Sequence, residues 1–178
     1  CWADDFSDDG TWDWMNEIFK KDKNVKIMRN DGPNRLGHTI LYDRLVDMAT
    51  NDIVMIYHAD MYACPGMDEE VLKHLERGKV VSATRIEPPL HPDGPEKVIQ
   101  DFGIEPEEFD ELGLMSFLHE EREHGEDKLT EGIFAPWAIY KDDFLAIGGH
   151  DPLYAPQSKE DSDIFNRFQL AGYETIQT

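Results

Sequence analysis

The chain has 178 residues, enough for one domain with a full hydrophobic core. It carries 17 basic against 38 acidic residues, a net charge of −21. That balance argues against a nucleic-acid partner, whose phosphates would go unneutralised, and against a basic patch docking on anionic lipid.

No stretch is apolar enough to span a membrane. The two cysteines, Cys1 and Cys64, form no metal-binding pair and read as reduced thiols of a cytoplasmic protein. Single arginines can still meet one pyrophosphate, so a nucleotide ligand stays open.

Residues 2–11 read as strand end, acidic turn and helix start. Thr11 or Asp9 caps a helix running through Phe19, with Trp12, Met15, Ile18 and Phe19 as its apolar positions. Residues 25–28 form a short strand, and the Asn, Asp, Gly and Pro of 29–34 make a loop. A helix from about Leu36 or His38 to Ala49 buries Ile40, Leu41, Leu45, Val46 and Met48.

Residues 53–57 are an unbroken apolar run, suited to a strand buried on both faces. Pro65 then opens a helix with Met67, Val71, Leu72 and Leu75 on one side and Asp68, Glu69 and Glu70 in its first turn. Gly78 stops it. Residues 79–84 are the next strand, and 85–94 a proline-rich turn. Residues 98–125 form a mostly helical acidic insert with Phe109, Leu112, Phe117 and Leu118 facing inward.

Residues 130–140 read as extended chain, 141–147 as a short helix, 148–151 as a turn and 157–161 as a polar stretch. An amphipathic helix over 163–171 carries Ile164, Phe165, Phe168 and Leu170. Strands alternating with helices predict a single α/β domain over 1–178 with a mainly parallel twisted sheet and right-handed crossovers. Residues 1–3 read as the last part of a strand and 173–178 stop inside another, so a fragment incomplete at both ends is expected.

Three groups of polar residues carry chemistry. Asp4 and Asp5 stand just past a strand end with Ser7, Asp8 and Thr11, where α/β folds read a base or ribose. Asp8, Asp9 and Thr11 serve equally well as turn and capping residues. His58 and Asp60 follow the central strand at alternating positions, so one divalent metal can take both, Mn²⁺ suiting the imidazole and Mg²⁺ the carboxylate. A histidine that is merely hydrogen-bonded explains His58 too. Ser158 to Asp163 places Glu160 and Asp161 at a helix start, either as acids favouring the helix dipole or as a base for a hydroxyl. Of the remaining histidines only His150, after Gly148-Gly149, sits in a plausible site loop.

In order, D-D-F-S-D-D-G-T at 4–11, Arg29-Asn30 with Asn34, A-T-N-D-I-V-M-I-Y-H-A-D at 49–60, Gly148-Gly149-His150-Asp151, Glu160-Asp161 and Arg167 to Gly172 resemble a family 2-like glycosyltransferase of the GT-A fold. The resemblance implies a Rossmann-like nucleotide-binding topology, with the family's first strand absent here. It implies a metal-dependent, inverting, hexosyltransferase-like enzyme that moves a sugar from a nucleotide-diphosphate donor, first of all a UDP-sugar, to a glycan, lipid or protein acceptor. Asp5 would contact the nucleotide, with Asp4, Ser7, Arg29 and Asn34 on the same side. Asp60 would be the metal-binding member of the D-x-D motif, whose first Asp is His58 here, and Mn²⁺ or Mg²⁺ the cofactor. Asp161, paired with Glu160, would be the base. The His58 departure also fits a second expectation, a catalytically inactive module of this fold in a larger assembly. The transferase reading requires Asp5, Asp60 and Asp161 to converge on one cleft at the sheet rim.

Overall fold

The computed structural model describes residues 1–90, 92–124, 129–156 and 158–178. Gly125, at the end of the expected insert, and Gln157, in the expected polar stretch, lie outside the described residues. The chain divides into two compact units. The first comprises Cys1–Ile56, Glu76–Gly78 and Ile139–Glu174, the second Tyr57–Leu75, Lys79–Ala138 and Thr175–Thr178.

In the first unit β1 (Trp2–Asp4) pairs in parallel with β2 (Ile27–Arg29), Asp4 lying opposite Arg29. Between them runs α1 (Thr11–Lys21), which buries Met15 and stacks Trp14 on Trp2. Gly10, at φ 92, is its N-cap, and the Asp9 carboxylate accepts from the Thr11 amide at 3.0 Å. Phe19 stays exposed, so the inward face of α1 is narrower than expected.

The helix α2 (Gly37–Met48) buries Leu41 and Val46 as its periodicity predicts, together with Thr39 and Tyr42, which an apolar count passes over. Its C-terminal carbonyls are satisfied by two lysines from outside the helix. Lys26 Nζ donates to Met48 at 2.8 Å, and Lys141 Nζ to Asp47 and Ala49 at 3.0 and 2.7 Å. The short strand β3 (Ile53–Ile56) alternates, with Val54 and Ile56 buried and Ile53 and Met55 half-buried, so one face rather than both is closed.

In the second unit α3 (Met67–His74) begins after Gly66 at φ 80, two residues beyond Pro65, and buries Val71 while Leu72 is exposed. Gly78, at φ 79, lies beyond the helix end at Leu75 and turns the chain into β4 (Lys79–Ser82). The segment expected as a turn contains β5 (Arg85–Glu87). It pairs in parallel with β6 (Lys97–Ile99), where helix was expected. Charges hold this ribbon. Lys97 Nζ lies 3.0 Å from Glu87 and 3.6 Å from Glu96, and Arg85 lies 3.0 Å from Glu87.

Helix α4 (Glu111–His124) buries Leu114, whereas Phe109 and Leu112 are exposed and Phe117 and Leu118 half-buried. The helix begins later than expected, so its inward stripe shifts to Leu114. The strand β7 (Trp137–Tyr140) follows, and β8 (Glu174–Gln177) ends the order. In the first unit β7 lies beside β3, and in the second β4 lies between β7 and β8. β7 runs antiparallel to β4, with Ser82 opposite Trp137. The Thr178 amide donates to Ser82 and its carbonyl accepts from Thr84, the pattern of a parallel neighbour. Trp137, Ala138, Val80 and Val81 are wholly buried, which centres the core of the second unit on these strands.

Back in the first unit, α5 (Lys141–Ala146) buries Phe144, and α6 (Glu160–Leu170) buries Ile164 and Phe168. α6 starts three residues earlier than its apolar pattern predicts, so Glu160 and Asp161 belong to its first turn. Leu170 is exposed.

Candidate functional site

The N-terminus of α2 gathers the polar residues of the first unit. No local side chain caps the helix. Its free amides are met instead by Asp5, just past β1. Asp5 Oδ1 accepts from the Leu36 amide at 2.9 Å and Oδ2 from the Gly37 amide at 2.8 Å, and the Asn30 side chain donates to Oδ1 at 2.7 Å. Burial pushes the pKa of Asp5 up. The Leu36 and Gly37 amides, the Asn30 amide and the charge of Arg35 outweigh it and hold the carboxyl below its ordinary value. A carboxylate offers about four acceptor positions, so about one remains for a ligand.

Asp4 points inward and is 2% exposed. Arg29 Nε stands 3.1 Å from its Oδ2, without the alignment of a hydrogen bond, so the attraction is one of charge. The Ser7 amide donates to Asp4 Oδ1 at 3.2 Å, and Arg29 Nη2 to the Ser7 carbonyl at 3.2 Å. The Arg29 guanidinium also lies over the Trp12 ring. Ser7, Asp8, Gly10, Trp12, Asp13 and Arg29 line an open recess of about 180 Å³. Asn34 takes part through its carbonyl, which accepts from Asn30 at 2.7 Å.

The turn before α6 approaches the same helix end. A side chain on Gly37, at φ 76, would run into the carbonyl of Pro156. Ser158 and Lys159 follow at φ 105 and 73, a left-handed conformation costly for side-chain-bearing residues. Glu160, 7% exposed, holds this turn by accepting from the Ser158 amide at 2.6 Å. Its other oxygen lies 3.8 Å from His38 Nδ1, at the start of α2. Asp161 is half-buried beside it.

His150 is held inside the first unit. It is 3% exposed, with Nδ1 at 2.7 Å from Asp43 Oδ1 and Phe144 and Tyr42 packed around the ring. Asp43 also accepts from the His150 amide. Arg167 fastens this turn to α6. Nη1 and Nη2 donate to the carbonyls of Ile147 and Gly149 at 3.0 and 2.7 Å, while Nε donates to Asp163 at 2.7 Å.

His58 and Asp60 belong to the second unit. The strand ends at Ile56 and the chain turns at Ala59 and Asp60, so the pleat that would project both side chains to one side does not extend to them. His58 is half-buried and Asp60 exposed. Among the described residues no three His, Cys, Asp or Glu side chains group as a metal site. Two side chains alone would leave most of a cation's shell to be completed by oxygens from elsewhere, such as those of a diphosphate.

The structure thus brings Asp4, Asp5, Ser7, Arg29 and Asn34 together and sets Glu160 against the helix that Asp5 caps. The sequence reading passed over His38, which lacks ligand spacing, and the pairing of Arg29 with Trp12. Position in the first turn of a helix after an Arg-Leu-Gly loop was the available signal for His38.

The family model for glycosyl transferase family 2 matches residues 1–145. No curated protein matches the chain. Two solved structures are similar across 99% of it, each with a TM-score of 0.61. One is GalNAc-T7 with UDP, GalNAc and Mn²⁺, at 14% identity. The other is the mannosyltransferase PcManGT from Pyrobaculum calidifontis with GDP-Man and Mn²⁺, at 16% identity. The chain spans 35% and 44% of their lengths. At such identities the likeness is one of fold, and that fold is GT-A.

Proposed function

The chain belongs to glycosyl transferase family 2, and on that premise we propose that it transfers a sugar from a nucleoside-diphosphate donor to an acceptor hydroxyl, with inversion. The observation that carries the reading is the meeting of Asp5 and the Glu160 turn at one helix N-terminus. The N-terminus of a helix favours anions, and here its first amides are drawn into a carboxylate beside an open recess.

In this reading Asp5, Ser7 and Arg29 receive the nucleoside, with Asp4 orienting Arg29 and Asn34 bracing the loop. Asp60, with His58, would be the protein's share of a Mn²⁺ or Mg²⁺ site. A cation bound there would neutralise charge on the leaving diphosphate. Asp161 takes the proton of the acceptor hydroxyl as its oxygen bonds to the anomeric carbon and the bond from that carbon to the diphosphate breaks. The two solved structures named above carry a nucleotide or nucleotide-sugar and Mn²⁺, which supports this choice of ligands.

The test is turnover of a panel of UDP- and GDP-sugars with Mn²⁺ by the protein and its Asp161→Asn variant. Donor turnover that falls by at least about 100-fold in the variant, with donor binding kept, is the expected result. Absence of turnover for every donor, or an Asp161→Asn variant as fast as its parent, overturns the proposal.

A further inference from the structure

We propose that His38 is a positioning residue for the Glu160–Asp161 turn, an inference that rests on Asp161 serving as the base. His38 lies in the first turn of α2, its ring stacked on Tyr42 at 5.4 Å between centroids and 29° between planes. Tyr42 is itself buried, so the imidazole is held in place from below. Nδ1 faces Glu160 Oε1 at 3.8 Å, ion-pairing distance for a protonated ring and too long for a neutral hydrogen bond.

Glu160 is not a surface acid. Its side chain is 9% exposed, against 49% for that of His38, and its second oxygen already holds the Ser158 amide. The carboxylate therefore links two things, the strained residues Ser158 and Lys159 on one side and the His38 ring on the other. Asp161 follows directly, so the angle at which α6 presents it depends on where Glu160 is held.

Beside the contact stand Asp5, bonded to the Gly37 amide, Arg35 before the helix, Tyr42 under the ring and Lys159 and Asp161 flanking Glu160, while Asp43, Arg44 and Asp47 follow along α2 and Asp163 and Arg167 along α6. Among the described contacts, only His38 links the α2 end to the Glu160 carboxylate from the side opposite Ser158. In this proposal the His38 ring acts on geometry and touches no reacting atom.

Hydrogen exchange at the Ser158 amide reads this link without substrate. His38→Gln is expected to speed exchange there by about tenfold and leave the Ala171 amide, bonded to Arg167, unchanged. The same variant is expected to lose about 10- to 100-fold in kcat with donor KM within about twofold, and His38→Lys, which puts a cation at this position, to restore both readouts. In a Glu160→Gln background His38→Gln should add nothing further. Unchanged Ser158 exchange in His38→Gln overturns the inference whether or not any donor is turned over. Faster exchange with kcat untouched removes the positioning role. If the parent turns over no donor, the functional reading fails and the exchange result still decides the contact.

Discussion

The carboxylate of Asp5 and the amide of Gly37 are joined by a 2.8 Å hydrogen bond across more than thirty residues of chain, so a residue past the first strand caps a helix that has no cap of its own. A short local cap would leave the loop between them free to move. A distant one ties strand end, loop and helix together, and the recess lined by Ser7 and Arg29 lies beside it.

Replacing Asp5 by Ala leaves the Leu36 and Gly37 amides and the Asn30 side chain without their acceptor. A loss of about 1–3 kcal/mol is expected in urea unfolding at neutral pH. The folded pKa of Asp5 is lowered, so the carboxylate's contribution is present above the ordinary aspartate value of 3.8 and is lost as pH falls through the folded value. Parent and variant should therefore converge in stability at acid pH. Parallel curves down to pH 3 would show that the three donors do not act through the charge.

Gly37→Ala combines a strained φ of 76 with collision against the Pro156 carbonyl, which is backbone and cannot swing aside. About 2 kcal/mol or more of stability should go. Because the turn before α6 must shift, Ser158 exchange should rise in the same variant. A variant as stable as the parent would mean that this close approach is not kept in solution.

Arg167→Lys tests a planar fork. The guanidinium reaches the Ile147 and Gly149 carbonyls and Asp163 at once, and an ammonium on a flexible stem cannot reproduce all three contacts. About 1–3 kcal/mol of destabilisation is expected, with the 148–151 turn loosening first. Thermal denaturation and exchange at the His150 amide measure the two effects.

If Asp60 and His58 hold the cation as proposed, Asp60→Ala should weaken Mn²⁺-linked UDP binding by about tenfold or more in calorimetry. His58→Asp places a hard oxygen donor where an imidazole stands and should raise Mg²⁺-linked affinity relative to Mn²⁺. UDP binding that ignores both substitutions and the metal would sink the cation assignment and favour a binding module over an enzyme.

Helices were the easiest elements to read. Leu41 and Val46, Ile164 and Phe168, and Val71 with Leu75 all lie at helical spacing and all are buried. Three of the exceptions share a cause: Phe109, Leu112 and Leu170 are apolar but sit where the helix starts or stops differently from its pattern, and so face water, whereas Phe19 and Leu72 lie within their helices and are exposed as well. The ribbon of Arg85–Glu87 with Lys97–Ile99 was missed because charges rather than alternating apolar residues hold it.

By itself the sequence determined the helices and their order, the likeness to the family and the acids worth examining, because periodicity and short motifs are local properties of the chain. Tertiary structure decided what each acid touches. Asp5 is bound to a helix end, Asp4 is buried against Arg29, Glu160 faces His38, and His150 is held by Asp43. The physical reason is that a carboxylate's role is set by the donors within about 3 Å of it, and those donors come from segments whose separation along the chain says nothing of their distance in the fold.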